Sequence, residues 1–314
     1  MKSIRTFIST SREFDAIRRG LLDLLKQLNR EYLAHGVEFI PTGPREGARD
    51  ADIAVILYGT DYGDMPQNEF DKAYAAFKAG NKPIIHVFFR DSDQSVSGAM
   101  AAFRDSFAKR YGHFYCHFET LDTLKFQVVA QSLAFLPGGE AVNPLKIEGS
   151  QVCLGNSPIA DLGQLPFAKL NSHRRSLIRR LGRADDEVAE LVSQVEESGG
   201  DADVKGALED ARAERRELQD ELARYEQFLL GAAVFFAKES GGKWNERTRK
   251  ARNLFERGLA KEANELLDFR EMLEQDRRDS KAYQAARETR IQNLNGFWAK
   301  SQLVLVDHTL PRTE

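Results

Sequence analysis

Cysteine is scarce in this chain, with only Cys116 and Cys153 among 314 residues. Two thiols build neither a disulfide framework nor a four-cysteine zinc site. An excess of one charge is also missing: 45 basic side chains stand against 48 acidic ones, a net charge of −3. A general nucleic-acid binder carries a clear basic excess, so that class is disfavoured, although a local basic patch remains compatible. No long apolar run occurs; the strongest, residues 228–237, is about half of what a membrane span needs. The opening Met1-Lys2-Ser3-Ile4-Arg5 passes straight into a strand-like segment rather than a secretory leader. Neither Gly-x-Gly-x-x-Gly nor a Walker A sequence opens the first helix, which argues against a conventional dinucleotide site or a P-loop nucleotidase. These absences predict a soluble, reduced, cytoplasmic protein with no membrane contact. What is present is 42% hydrophobic and 30% charged residues, enough apolar material for a sizeable core, in a chain long enough for two domains.

The two halves differ in pattern. Over residues 1–137, short β-rich runs alternate with helical periodicity. Strands are expected at 4–9, 37–40, 52–58, 83–89 and 113–118. Helices are expected at 11–35, 66–79, 97–110 and 121–135. In the first helix Ile17, Leu21, Leu24, Leu25 and Leu28 mark one buried face, Ser11 is a candidate N-cap, and Gly36 stops the helix. Asp52-Ile53-Ala54-Val55-Ile56-Leu57-Tyr58 is nearly all apolar, as a strand buried on both faces should be. Such alternation predicts an α/β fold: a five-stranded parallel, doubly wound, flavodoxin-like sheet. Leu136-Pro137-Gly138-Gly139 breaks the pattern. Residues 138–169 read as a connector with little core, holding a small hairpin of 145–154 and 158–162 around Gly155-Asn156. Residues 170–314 read as a mostly α-helical domain for assembly or sensing. Leu177, Leu181, Val188, Leu191 and Val195, then Val204, Leu208, Ala211, Leu218, Leu222, Tyr225 and Leu229, form heptad-like seams. Gly199-Gly200 between them predicts an antiparallel pair. Further helices are expected at 244–257, 260–274 and 281–304.

Sheets of this kind bind ligands beyond the C-terminal ends of their strands, near the reversal of strand order. That address selects the loops at 9–12, 41–49 and 59–67. The first, Ser9-Thr10-Ser11-Arg12, offers hydroxyls, backbone amides and a guanidinium. The third, Gly59-Thr60-Asp61-Tyr62-Gly63-Asp64-Met65-Pro66, leads into a helix that opens with Gln67-Asn68-Glu69-Phe70. A carboxylate in a first helical turn has a plain explanation in the helix dipole. Glu69 gains interest from its address at the crevice rim. His113, Cys116 and His117 hint at a metal, but Cys116 points away from the face the two histidines share, so no metal site is expected.

The order Phe7-Ile8-Ser9, Asp52 through Gly59, Tyr62-Gly63, Asn68-Glu69-Phe70 and Lys82-Pro83-Ile84-Ile85-His86-Val87 resembles that of bacterial TIR-like domains, over residues 1–137. Met65 stands where animal and plant members carry a tryptophan or similarly bulky residue. The resemblance implies a flavodoxin-like sheet and an NAD⁺ glycohydrolase or cyclase whose catalytic glutamate is Glu69, with NAD⁺ as substrate and no cofactor. In that reading a carboxylate beside the ribose stabilises oxocarbenium charge. Phe7, Tyr58 and Tyr62 are candidates for stacking on the bases, Ser9 and Thr10 for hydroxyl contacts, and Arg12 and Arg45 for the pyrophosphate. A second resemblance runs from Asp161-Leu162-Gly163-Gln164-Leu165-Pro166-Phe167 to Ala251-Arg252-Asn253-Leu254-Phe255-Glu256-Arg257-Gly258, which is similar to the region joining TIR-like domains to tetratricopeptide-type helices. Together they imply a homo-oligomeric bacterial defence effector switched on by assembly. The alternatives are a non-enzymatic TIR-like scaffold and an enzyme of the nucleoside deoxyribosyltransferase type.

Overall fold

Five strands, β1 (Lys2–Thr10), β2 (Val37–Pro41), β3 (Ile53–Tyr58), β4 (Ile84–Arg90) and β5 (Cys116–Phe118), form one parallel sheet in the order β2-β1-β3-β4-β5. The computed structural model describes residues 1–43, 47–59, 64–80, 82–91, 97–111, 115–136, 144–197, 199, 201–238, 246–268, 270–274 and 287–309. Helices α1 (Asp15–Tyr32) and α4 (Leu121–Ser132) cover one face of the sheet; α2 (Asp64–Gly80) and α3 (Gly98–Tyr111) cover the other. Every residue of β3 is buried. Its alternation assigns Ile53, Val55 and Leu57 to the α1/α4 side, and Ala54, Ile56 and Tyr58 to the α2/α3 side. The α2/α3 side is an aromatic core: Tyr58 stacks on Phe89 at 4.9 Å, and Phe70 and Phe107 lie 5.0 Å apart.

Local chemistry accounts for the ends of these elements. Gly36 closes the first helical segment with φ 74°, a conformation a side chain would strain. The Asn29 side chain then clamps the edge strand β2, accepting from Phe39 N at 2.7 Å and donating to Phe39 O at 2.8 Å. That covers backbone groups which a lone edge would leave bare. Ser11 does not cap α1 as expected. A short 3₁₀ turn, Arg12–Phe14, comes first, and the Ser11 hydroxyl donates instead to Glu13 at 3.0 Å. Helix α2 begins two residues earlier than expected, at Asp64, because Pro66 lies among the first residues, whose N–H groups have no helical acceptor.

The segment after the sheet differs most from expectation. It is a three-stranded antiparallel sheet, β6 (Leu145–Glu148), β7 (Gln151–Leu154) and β8 (Ser157–Asp161), not a two-stranded hairpin. Gly149, at φ 58°, makes a turn inside what reads as one continuous strand. Nor is this a connector with little core. Leu145, Ile147, Val152, Leu154, Ile159 and Phe167 are buried in the same apolar cluster as α1 and α4.

Beyond it, α5 (Asn171–Glu197) and α6 (Ala202–Lys238) pair antiparallel inside the chain. Their ion pairs record the direction: Arg174 with Glu226, Arg180 with Glu221, Asp185 with Arg215. Tyr225 donates to Leu170 O at 2.7 Å and fixes α6 against the start of α5. Among the described residues, the helices α7 (Glu246–Glu256), α8 (Ala260–Leu266) and α9 (Arg287–Thr309) pack on α6 or on each other. The apolar cluster runs unbroken from the α1/α4 side of the parallel sheet through the small sheet to α6, α7 and α9. Among the described residues, no helix is long and apolar enough to cross a membrane.

Candidate functional site

The sheet order reverses at β1, which lies between β2 and β3. The loops that follow these three strands leave from the same end of the sheet, where an open α/β sheet forms its crevice. Glu69 stands in the second turn of α2, and its side chain is 17% exposed. Its Oε2 accepts from Ala48 N at 3.2 Å, so the carboxylate lies against the turn after β2. Its Oε1 accepts from Lys72 Nζ at 2.7 Å. Dipole stabilisation fades beyond the first turn, so it accounts for a glutamate here less well than the Lys72 pairing does.

The residues singled out from the sequence divide by placement. Phe7 and Ser9 point to the α2 side of β1; Thr10 points to the α1 side and is buried. Phe7 is core, packed with Ala48, Ala54 and Phe70. Ser9 is 4% exposed, and its hydroxyl has no hydrogen-bond partner among the described residues; the same holds for the buried Thr42 hydroxyl just after β2. Tyr58 lies below the crevice, not in it: the ring is stacked in the aromatic core and its hydroxyl donates to Gln67 Oε1 at 3.1 Å. The backbone of Arg12 is in the 3₁₀ turn after β1. Arg45, Tyr62 and the side chain of Arg12 lie outside the described residues, as does His113.

Two features escape a reading by motif. The first is Gln67, which is buried. It accepts from Tyr58 and donates to Asp71 Oδ1 and to Tyr111 OH, both at 2.9 Å. This network ties the first turns of α2 to β3 and α3, and so holds the backbone that carries Glu69. The second is Glu13, an exposed carboxylate after β1 that lies directly over Gly59. A Cβ at position 59 would stand 1.5 Å from Glu13 Oε1. A glycine at the end of a strand was the only available signal. At this end of the sheet Glu69 therefore lies against the turn after β2 and Glu13 over the end of β3, with the buried Ser9 hydroxyl on β1 between those strands.

Other chemistry is weaker. His117 Nδ1 is 2.9 Å from Asp91 Oδ1, Cys116 is buried on the opposite side of β5, and neither cysteine is in a disulfide. Among the described residues, no group of three or more His, Cys, Asp or Glu is placed to hold a metal ion. A cleft of about 300 Å³, including its open mouth, lies away from Glu69 between α4, α6 and α7, walled by Phe126, Phe167, Phe236 and Phe255. Those rings already pack on one another at 5.1–6.2 Å, so it reads as a packing seam and not as a slot for a planar ligand.

No family model, curated protein or solved structure matches the chain.

Proposed function

We propose that residues 1–137 are a flavodoxin-like, TIR-like domain that cleaves the nicotinamide–ribose bond of NAD⁺ in the cytoplasm. Glu69 is its catalytic carboxylate, and the helical half brings copies together. The observation that carries this reading is a mostly buried carboxylate at the C-terminal edge of a parallel sheet, beside the reversal of strand order, held by a backbone N–H on one oxygen.

The reaction asks little of the protein. The C1′–N bond breaks heterolytically, and its electron pair leaves with nicotinamide, neutralising the pyridinium. Positive charge then develops on the ribose, where a fixed carboxylate stabilises it. A water oxygen adds to C1′ and releases one proton. The products are nicotinamide, ADP-ribose and that proton, and no metal is required. Ala48 N–H fixes the orientation of Glu69, while Lys72 competes for the same charge and must give way to the ribose. Phe7 and Tyr58 support the crevice floor. Arg12, Arg45 and Tyr62 keep their proposed roles at the pyrophosphate and the base.

The Lys72–Glu69 pair favours the second reading, a TIR-like scaffold without activity in which Glu69 only joins α2 to the turn after β2. NAD⁺ turnover by the full chain and by Glu69→Gln separates the two. Glutamine can still accept from Ala48 N–H, so the fold persists, whereas loss of the charge should lower turnover about a hundredfold or more. Near-normal turnover by the variant would remove Glu69 from catalysis. A nucleoside base-exchange assay on the same preparations tests the deoxyribosyltransferase reading.

A further inference from the structure

Helix α5 is electrically divided. Its first half, residues 171–183, carries five arginines and no carboxylate; its second half, residues 184–197, carries six carboxylates and no basic residue. This order opposes the helix's own dipole, which favours acids at the start and bases at the end; the first turn holds no acid and the last no base. The pattern therefore does not serve the isolated helix. Part of it serves the hairpin, where Arg174, Arg180 and Asp185 pair with Glu226, Glu221 and Arg215 on α6. The rest faces away from α6. Arg175, Arg179, Asp186, Glu190 and Glu197 recur at spacings of four and seven, opposite the Leu177–Leu181–Ala184 seam, with Arg183 on the flank; all are exposed. Among the described residues, Arg175, Arg179, Arg183 and Asp186 form no salt bridge, and Glu190 meets only Gln194, at 3.2 Å. Gly182 lies on this outward side in mid-helix, and a Cβ there would meet nothing within 4 Å. Among the described residues, no packing contact calls for a residue that is so poor a helix former.

We propose that this outward face of α5 is a docking surface for a second copy of the chain, with the two α5 helices side by side and antiparallel about a two-fold axis between residues 184 and 185. In that register Arg183 meets Asp186 of the second copy and Arg179 meets Glu190. The two-fold repeats both contacts, giving four ion pairs from one stripe. A two-fold interface must be self-complementary, and a stripe that changes sign at its midpoint meets that requirement only when antiparallel. A parallel arrangement would set arginine against arginine. The face is polar and its ion pairs are solvated, so the association is weak and sensitive to salt. Gly182 lets the backbones approach near the axis. This inference deepens the proposed assembly through the helical half and rests on that part of the reading, while it does not depend on the catalytic role of Glu69.

The test is sedimentation equilibrium of the full chain over a wide concentration range, at low and at high salt. The expected result is a reversible monomer–dimer equilibrium at low salt that shifts to monomer as salt rises. Two charge-reversed variants, R179E/R183E and D186R/E190R, change only exposed positions and should each dimerise at least about tenfold more weakly, since like charges then face each other. Mixed together, they should form a heterodimer, because every pair is restored across the interface. The quadruple swap R179E/R183E/D186R/E190R should regain the homodimer. Unchanged circular dichroism checks that α5 remains folded. A wild-type chain that stays monomeric throughout, a dimer indifferent to either reversal, or a mixture that forms no heterodimer would each overturn the proposal. Pairing of these charges within one helix predicts no heterodimer, so the mixture excludes it.

Discussion

Removing the Arg174 guanidinium should show how α5 is bound to α6. Its Nε donates to Glu226 Oε1 at 2.6 Å; the two side chains are 7% and 20% exposed. Unit charges about 4 Å apart attract by about 4 kcal/mol at an effective dielectric of about 20, and removing one partner of a buried pair costs about 3–5 kcal/mol. Because Glu226 keeps some contact with water, Arg174→Met should fall at or just below the lower limit of that range, at about 2–3 kcal/mol near neutral pH. The cost should depend on pH. Burial already raises the Glu226 carboxyl above its ordinary range, outweighing the opposing effect of Arg174; without the guanidinium it rises further. A carboxyl whose folded pKa is raised favours the folded state while protonated, so its contribution is fully present below the unfolded value of about 4.3 and lost as pH rises through the folded value. The deficit of Arg174→Met should therefore shrink on acidification, by at most about 1.4 kcal/mol per pH unit. The double variant Arg174→Met/Glu226→Leu removes both charges and should lie within about 1 kcal/mol of the parent at either pH. Urea unfolding of the parent, Arg174→Met, Glu226→Leu and the double variant at neutral and mildly acidic pH measures all of this. Additive single effects, or a deficit for Arg174→Met that does not change with pH, would refute the argument.

Gly59→Ala should cost about 1 kcal/mol, because its Cβ must displace the flexible Glu13 carboxylate; adding Glu13→Ala should recover only part, since Phe14 Cζ lies 3.1 Å from the same Cβ. Thermal unfolding of the single and double variants checks the order. Asp52→Asn should remove an acid-sensitive part of stability. Burial alone would raise the Asp52 carboxyl, but the Arg5 N–H at 2.9 Å and Lys82 Nζ at 3.0 Å outweigh it and hold it below its ordinary 3.8. A lowered carboxyl stabilises the fold above its unfolded pKa and loses that effect as pH falls through the folded value. The parent's advantage over the variant, about 1 kcal/mol at neutral pH, should therefore vanish in acid, as read from unfolding midpoints at several pH values.

Periodicity alone was enough to locate most elements. The five parallel strands and the α5/α6 pair follow from alternation, from heptad seams and from glycines such as Gly36, since backbone geometry and side-chain spacing are local properties. Periodicity could not say which neighbour each face meets. In β3 every residue is apolar, so the sequence carries no orientation signal, and only packing against α3 shows that Tyr58 is core. Gly149 looks like an ordinary strand residue until its positive φ splits one expected strand into two. Glu69 was legible from its place after β3, whereas the Ala48 N–H that holds it comes from a turn 21 residues earlier. Glu13 over Gly59, Gln67 between Tyr58 and Tyr111, and Arg174 against Glu226 are likewise contacts between distant parts of the chain. They depend on how the layers close: apolar patterning drives each layer to be covered, but the three-dimensional fit of side chains decides which polar groups then meet.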